Sequence, residues 1–101
     1  MQRKLLLAAL VAATSMPVCA QSGDTVARSL AATCAACHGT EGRGVPKAFA
    51  ALAGRPKNDL VTILRGYKTG KIPATVMHQL AKGYSDQQIE AIAAYFAARK
   101  N

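Results

Sequence analysis

Two thiols and an imidazole fall within five positions of this chain, as Cys34-Ala35-Ala36-Cys37-His38, and three glycines follow at 39, 42 and 44. This run constrains the fold more than any other feature. On a helix, residues three apart lie on one face, so both sulfurs point the same way and the imidazole begins the next turn beside them. Whatever the run holds must therefore sit against one side of one helix. The glycines then let the backbone turn away sharply from that group.

What the run can hold depends on which other cysteines accompany it. Arg3 and Lys4 give a short positive start, Leu5 to Ala13 is an almost unbroken apolar run, and Pro17 to Ala20 supplies a break followed by small residues. That pattern predicts a secretory signal peptide over residues 1–20, with Val18-x-Ala20 as the cleavage site. The apolar run is about half of the roughly 20 residues a membrane span requires, so no span is expected in the mature chain. A retained anchoring helix is the other reading. Lipidation of Cys19 is disfavoured because Val18 before it is bulky, and Cys19 is read as lost with the leader. Export predicts a periplasmic protein.

The domain is then residues 21–101, and loss of Arg3 and Lys4 takes the net charge from +8 to +6. It has no tryptophan and only Cys34 and Cys37 as cysteines. A domain this small usually needs a disulfide, a metal or a cofactor to complete its core. A disulfide closing so short a loop removes little unfolded-state entropy. Something other than a disulfide is expected to fill the core.

The rest of the chain reads as one all-α domain with no repeat and no strand. A first helix follows Asp24 as N-cap and places Ala27, Leu30, Ala31, Cys34, Cys37 and His38 on one face. A second starts at Asn58 or Asp59, carries Leu60, Ile63, Leu64 and Tyr67, and stops at Gly70. In the last, Ser85 and Gln88 form a capping box, with Tyr84 and Ile89 as the hydrophobic staple. Ile89, Ile92, Ala93 and Phe96 make its buried stripe, and Arg99 and Lys100 suit its negative end. A shorter helical turn is expected from Pro46 to Ala53, closed by Gly54.

C-x-x-C-H is the attachment signature of a c-type haem. Cys34 and Cys37 would add across the two vinyl groups as thioethers, and His38 would ligate the iron from the same side. A thioredoxin-like redox pair would need a βαβ pattern that is not present. A zinc site would need a fourth soft ligand, and only His78 remains. A plain disulfide leaves His38 without a purpose. One covalent haem c therefore accounts for the motif, the export signal and the missing core together.

For the other axial position the domain offers one methionine, Met77, in the irregular stretch "KIPATVMHQL" before the last helix. His/Met ligation would raise the reduction potential and close both axial positions, which suits electron transfer. Methionine also fills core space commonly, which is the alternative for Met77. His78 is adjacent, and in extended backbone the two side chains point opposite ways, so only one can face the iron. His78 is read as a rim or surface residue, with bis-histidine ligation as the other possibility.

Over the whole domain the chain resembles the class I cytochromes c, with C-x-x-C-H after a first helix, a methionine loop, and a closing helix carrying Tyr95-Phe96. The stretch "RGYKTGKIPATVMHQLAKGYSDQQIEAIAAYF", residues 65–96, is similar in particular to the haem domain of the cytochrome subunit of flavocytochrome c sulfide dehydrogenase. The resemblance implies a small class I cytochrome c fold, with three main helices wrapped around one haem. It implies Cys34 and Cys37 as thioether sites, His38 as proximal ligand and Met77 as distal ligand. Some members of that subunit family carry a second C-x-x-C-H domain, and this chain stops after the first.

The expected function is single-electron transfer in the periplasm, with an FAD-containing sulfide dehydrogenase subunit as the partner the resemblance implies. The alternative is a diffusible carrier serving another redox protein. Catalysis by this chain alone is not expected, because it has no nucleophile–base pair and no paired carboxylates. A haem sensor or peroxidase would need an open iron site. Arg43, Lys47, Lys68, Lys71 and Lys82 flank the segments expected to border the haem, where they can steer an acidic partner or simply solubilise the chain. Nucleic-acid binding is not expected, since no aromatic-interleaved basic motif is present.

Overall fold

The computed structural model describes residues 23–101, so the expected signal peptide lies outside the described residues. The chain runs through four helices, α1 (Gly23–His38), α2 (Lys57–Thr69), α3 (Met77–Lys82) and α4 (Asp86–Ala97), with a 3-10 turn at Thr40–Gly42 between the first two. Among the described residues there is no strand, only an isolated bridge between Val45 and Phe49. The all-α expectation holds, and α1, α2 and α4 are the three main helices.

The start of α4 is set by local chemistry. Ser85 Oγ accepts the Gln88 backbone N–H at 3.1 Å, and Gln88 Oε1 accepts the Ser85 N–H at 2.9 Å. Two amides that the helix cannot satisfy itself are thus satisfied reciprocally. Ile89, Ile92, Ala93 and Phe96 are all buried, and α4 packs on both α1 and α2. Against it α1 buries Ala27 and Ala31, whose small side chains let the two helices approach closely. From α2 come Leu60 and Val61. Phe96 and Ile89 are the largest fully buried side chains, each contributing about 1.5–3 kcal/mol through removal from water.

Several boundaries differ from the sequence expectation. Helix α1 is already formed at Gly23, the first described residue, so Asp24 lies within the helix rather than capping it, and pairs with Arg99 at 3.5 Å. Helix α2 begins earlier than Asn58, after Pro56, whose fixed φ of −54° suits the entry and whose carbonyl accepts Leu60 N–H. Gly70 ends it in the left-handed conformation, φ 77°, as its position predicts. Helix α4 ends at Ala97, leaving Arg99 and Lys100 beyond it. Arg99 folds back, donating Nε–H to the Tyr95 carbonyl at 3.2 Å and stacking 4.2 Å over the Tyr95 ring.

Residues 46–53 are not helical. Val45 and Phe49 exchange backbone hydrogen bonds, both 2.9 Å, around a tight turn with Lys47 at φ 63°. The next backbone amides, of Leu52 and Ala53, both donate to the Gly42 carbonyl, at 2.7 and 2.9 Å. Those amides are committed to a non-local acceptor, so no local helix forms. Gly42 is itself committed, for at φ 73° it packs against Phe96, where a β-carbon would come within 2.6 Å of the ring. The segment after α1 is in this way fixed to the core of α4.

Met77 also departs from expectation, since it opens α3 instead of lying in irregular backbone. Val76 ahead of it offers no side-chain cap, so the sequence carries no signal for this short helix.

Candidate cofactor site

The four helices enclose a cavity of about 710 Å³ beside this core. Its walls are mainly apolar and come from all four helices: Cys34, Cys37 and His38 of α1, Leu60, Leu64 and Tyr67 of α2, Met77 and Leu80 of α3, and Ile89, Ile92 and Phe96 of α4. That volume lies within the range of roughly 300–1,000 Å³ typical of sites for organic cofactors and ligands. The structure thus brings Cys34, Cys37, His38 and Met77 to one space, although Met77 is 39 residues beyond His38.

The C-terminal turn of α1 presents its three residues unequally. Cys37 is exposed, while Cys34 is half-buried and packs on the core. Burial pushes the Cys34 thiol up from its ordinary value, against a smaller lowering by the Thr33 hydrogen bond. Both cysteines are free thiols in this structure.

His38 is the most firmly placed. Its Nδ1 lies 2.7 Å from the Ala50 carbonyl oxygen, which can only accept, so Nδ1 carries the proton and Nε2 keeps its lone pair. The ring also meets Phe49 edge-on, with centroids 5.8 Å apart. Ala50 is held in turn because Leu52 and Ala53 are bonded to Gly42. Behind His38 the chain reverses tightly: its carbonyl accepts Gly44 N–H at 2.6 Å, and a β-carbon on Gly39, at φ 84°, would come within 2.6 Å of the Gly44 oxygen. A metal-ligating histidine is characteristically oriented by just such a bond from its other nitrogen.

Met77 and His78 diverge by about 100° on α3, as successive helical residues do. Met77 lines the cavity and His78 does not. His78, expected at the rim or surface, is half-buried, and its Nδ1 is enclosed without a hydrogen-bond partner among the described residues.

Other contributors had no signal in the sequence. Ala50 acts through a carbonyl that any residue would supply. Thr33 Oγ1 and Tyr84 Oη meet at 2.6 Å across the cavity wall, joining α1 to the entry of α4. Arg55 lines the cavity as well.

These observations fit a haem c. The space is large and apolar, two thiols lie at its wall, and an imidazole with a free Nε2 is held by a carbonyl. Among the described residues no three His, Cys, Asp or Glu side chains converge as a chelated ion would require. The family described as cytochrome C oxidase, cbb3-type, subunit III matches residues 21–96. The chain belongs to this cytochrome c family. Cytochrome c-554(548) of Halomonas halodenitrificans is 35% identical over 71 residues, covering 67% of this chain and 86% of the relative. Cytochrome c4 of Pseudomonas aeruginosa is 36% identical over 98 residues, covering 96% of this chain and 49% of the relative. The cytochrome subunit of sulfide dehydrogenase of Chlorobaculum tepidum is 36% identical over 74 residues, covering 71% and 66%. The chain therefore spans about half the length of the cytochrome c4 it matches. Membership of this family implies a covalently bound haem c.

Proposed function

We propose that this chain is a periplasmic monohaem cytochrome that accepts single electrons from the FAD-containing subunit of a sulfide dehydrogenase. In this reading residues 1–20 direct export and residues 21–101 form the cytochrome domain. Cys34 and Cys37 would hold the haem as thioethers, and His38 and Met77 would supply the ligands to its iron. When bound, the haem supplies a one-electron iron couple, which His/Met ligation keeps at a comparatively high potential.

The observation that carries the ligand reading is the 2.7 Å bond from His38 Nδ1 to Ala50, which leaves Nε2 for the metal. Met77 is the one thioether lining the same cavity, and His78 stands outside it. The chain's own work is then largely structural. The α4 stripe of Ile89, Ile92 and Phe96 excludes water, and the exposed apolar side chains Phe49, Val76 and Leu80 rim the cavity where a partner would approach. No described helix is long and apolar enough to cross a membrane.

The sulfide dehydrogenase partner is supported by the relative of that name and by residues 65–96. A flavin takes a pair of electrons and passes them on singly, which is the step a lone haem cannot perform on sulfide. The second reading is an independent carrier, favoured by the match to cytochrome c-554(548), of which this chain covers 86%. Two measurements test these readings. Haem that survives acid-acetone extraction, with no carbon monoxide binding on reduction, is expected for a covalent haem with both axial positions filled. Co-purification with a flavoprotein, and sulfide-driven haem reduction that falls with flavin content, is expected for the sulfide dehydrogenase reading. Reduction by an unrelated donor without a stable flavoprotein complex would leave the independent carrier.

A further inference from the structure

Backbone strain is concentrated in the loop that leaves α1 and returns to His38. Among the described residues the two non-glycine positions at positive φ, Glu41 at 54° and Lys47 at 63°, both lie in it. The same loop carries a large apolar ring, Phe49, which is 45% exposed and stands outside the buried cluster. Strained backbone and an apolar ring left in water are both unfavourable, and core packing offsets neither. Strain of this kind persists where the surrounding structure enforces it, and it gathers at functional sites.

What the loop gains is a grip on one imidazole. The Ala50 carbonyl accepts His38 Nδ1–H at 2.7 Å, and Phe49, the residue before it, meets the same ring at 66° with centroids 5.8 Å apart. Both residues are held in place. The Phe49 N–H and carbonyl each bond Val45 at 2.9 Å. The backbone at 49–51 also lies against Gly44, where a β-carbon would come within 3.0 Å of the Ala51 nitrogen and 3.1 Å of the Phe49 oxygen. We propose that Phe49 is a positioning residue for His38, its ring fixing the plane of the imidazole and keeping water from competing for Nδ1–H. The inference rests on the haem reading above and gives a role to a residue outside the thioether and axial set. A hydrogen bond shielded from water is stronger, and a stronger bond from Nδ1–H makes the imidazole a more basic ligand. A more basic imidazole favours the oxidised iron, so Phe49 holds the reduction potential down.

The test compares the matured holoprotein in wild type, Phe49→Tyr, Phe49→Leu, Phe49→Ala and Val45→Ala. Two quantities are read. One is the solvent-exchange rate of His38 Nδ1–H, by NMR of the reduced protein with isotope-labelled histidine. The other is the equilibrium constant for reduction against one mediator. Phe49→Ala is expected to speed the exchange roughly threefold to tenfold, the factor that an aromatic pair of this geometry is worth. It should also raise the reduction constant by about twofold to threefold, as the bond to Ala50 weakens. Phe49→Tyr keeps the ring and the wild-type values, and Phe49→Leu, apolar but without a ring, recovers only part. Val45→Ala removes an exposed apolar side chain from the same turn but leaves its backbone bonds, and is expected to change neither quantity. Wild-type exchange in Phe49→Ala overturns the proposal. So does a reduction constant that falls, because water admitted to the cavity favours the more charged, oxidised state, and Phe49 would then only exclude solvent. Equal changes in Phe49→Ala and Val45→Ala overturn it too. Where Phe49→Ala does not accumulate, Phe49→Leu against Phe49→Tyr carries the same comparison. Wild-type protein without acid-acetone-resistant haem would overturn the haem reading itself, whereas attached haem with a His38 indifferent to Phe49 overturns this inference alone.

Discussion

Gly42 packs so closely against Phe96 that a β-carbon on the glycine would fall 2.6 Å from the ring. The contact links the most buried aromatic side chain of α4 to the segment that orients the histidine. From Gly42 the chain of bonds runs through Leu52 and Ala53 to the loop that presents the Ala50 carbonyl to His38.

Gly42→Ala is therefore expected to destabilise the fold and loosen the histidine together. The left-handed φ of 73° and the collision with Phe96 add, for a cost of roughly 2–5 kcal/mol. Thermal melting of the holoprotein should show the loss, and carbon monoxide should bind more readily to the reduced form. A variant as stable as wild type would show that Phe96 moves aside without strain.

The Thr33–Tyr84 bond at 2.6 Å fastens α1 to the entry of α4 beside the cavity. Tyr84→Phe keeps the ring that packs on the core and removes only the hydroxyl. The expected loss is about 0.5–1.5 kcal/mol, at the lower end because the bond is solvent-exposed. A double-mutant cycle with Thr33→Val should recover a coupling of that size, and additive losses would mean that the bond contributes nothing in solution.

How far the sequence was legible follows from the range of each interaction. The Ser85–Gln88 capping box acts within four residues, and the buried stripe of α4 is periodic, so both can be read directly. The C-x-x-C-H run is likewise local. The turn at 46–53 differs from the helical turn expected there because its geometry depends on the Gly42 carbonyl and on Lys47 at a positive φ, neither of which has a residue-type signature. Helix α3 is not legible in the sequence, because Val76 gives no cap signal and six residues are too few for a periodic pattern. Ala50 contributes a backbone atom, which no residue type announces.

Acid should weaken the α2–α4 junction through Glu90. Its carboxyl is held below its ordinary value, first by the hydrogen bond from Lys57, then, against some desolvation, by the charges of Lys57 and Arg65. Lys57 Nζ lies 2.9 Å and Arg65 Nη2 3.1 Å from its oxygens. Because the folded value is lower than the unfolded one, the contribution is complete above about pH 4.5 and disappears as the pH falls through the folded value. Wild type should exceed Glu90→Gln in melting temperature at neutral pH, and the gap should close in acid and shrink in high salt. A gap that persists at low pH would assign it to packing rather than charge.

The sharpest prediction concerns Met77. It opens a short helix, lines the cavity and is the only methionine of the domain, whereas the neighbouring His78 points elsewhere with an enclosed and unpartnered Nδ1. Met77→Ala should abolish the weak sulfur-to-iron charge-transfer band of the oxidised protein. The reduction potential should fall by an appreciable part of the roughly 0.8 V that axial ligation spans. His78→Ala should leave that band in place, its effect confined to stability, since it removes a buried nitrogen that has no partner. Because α3 is only six residues long and packs chiefly on α2, it should be the first element to open in mild denaturant, taking the charge-transfer band with it before α4 unfolds. If Met77→Ala keeps the oxidised spectrum while His78→Ala destroys the low-spin state, the axial ligand is His78 and α3 must rotate when haem is bound.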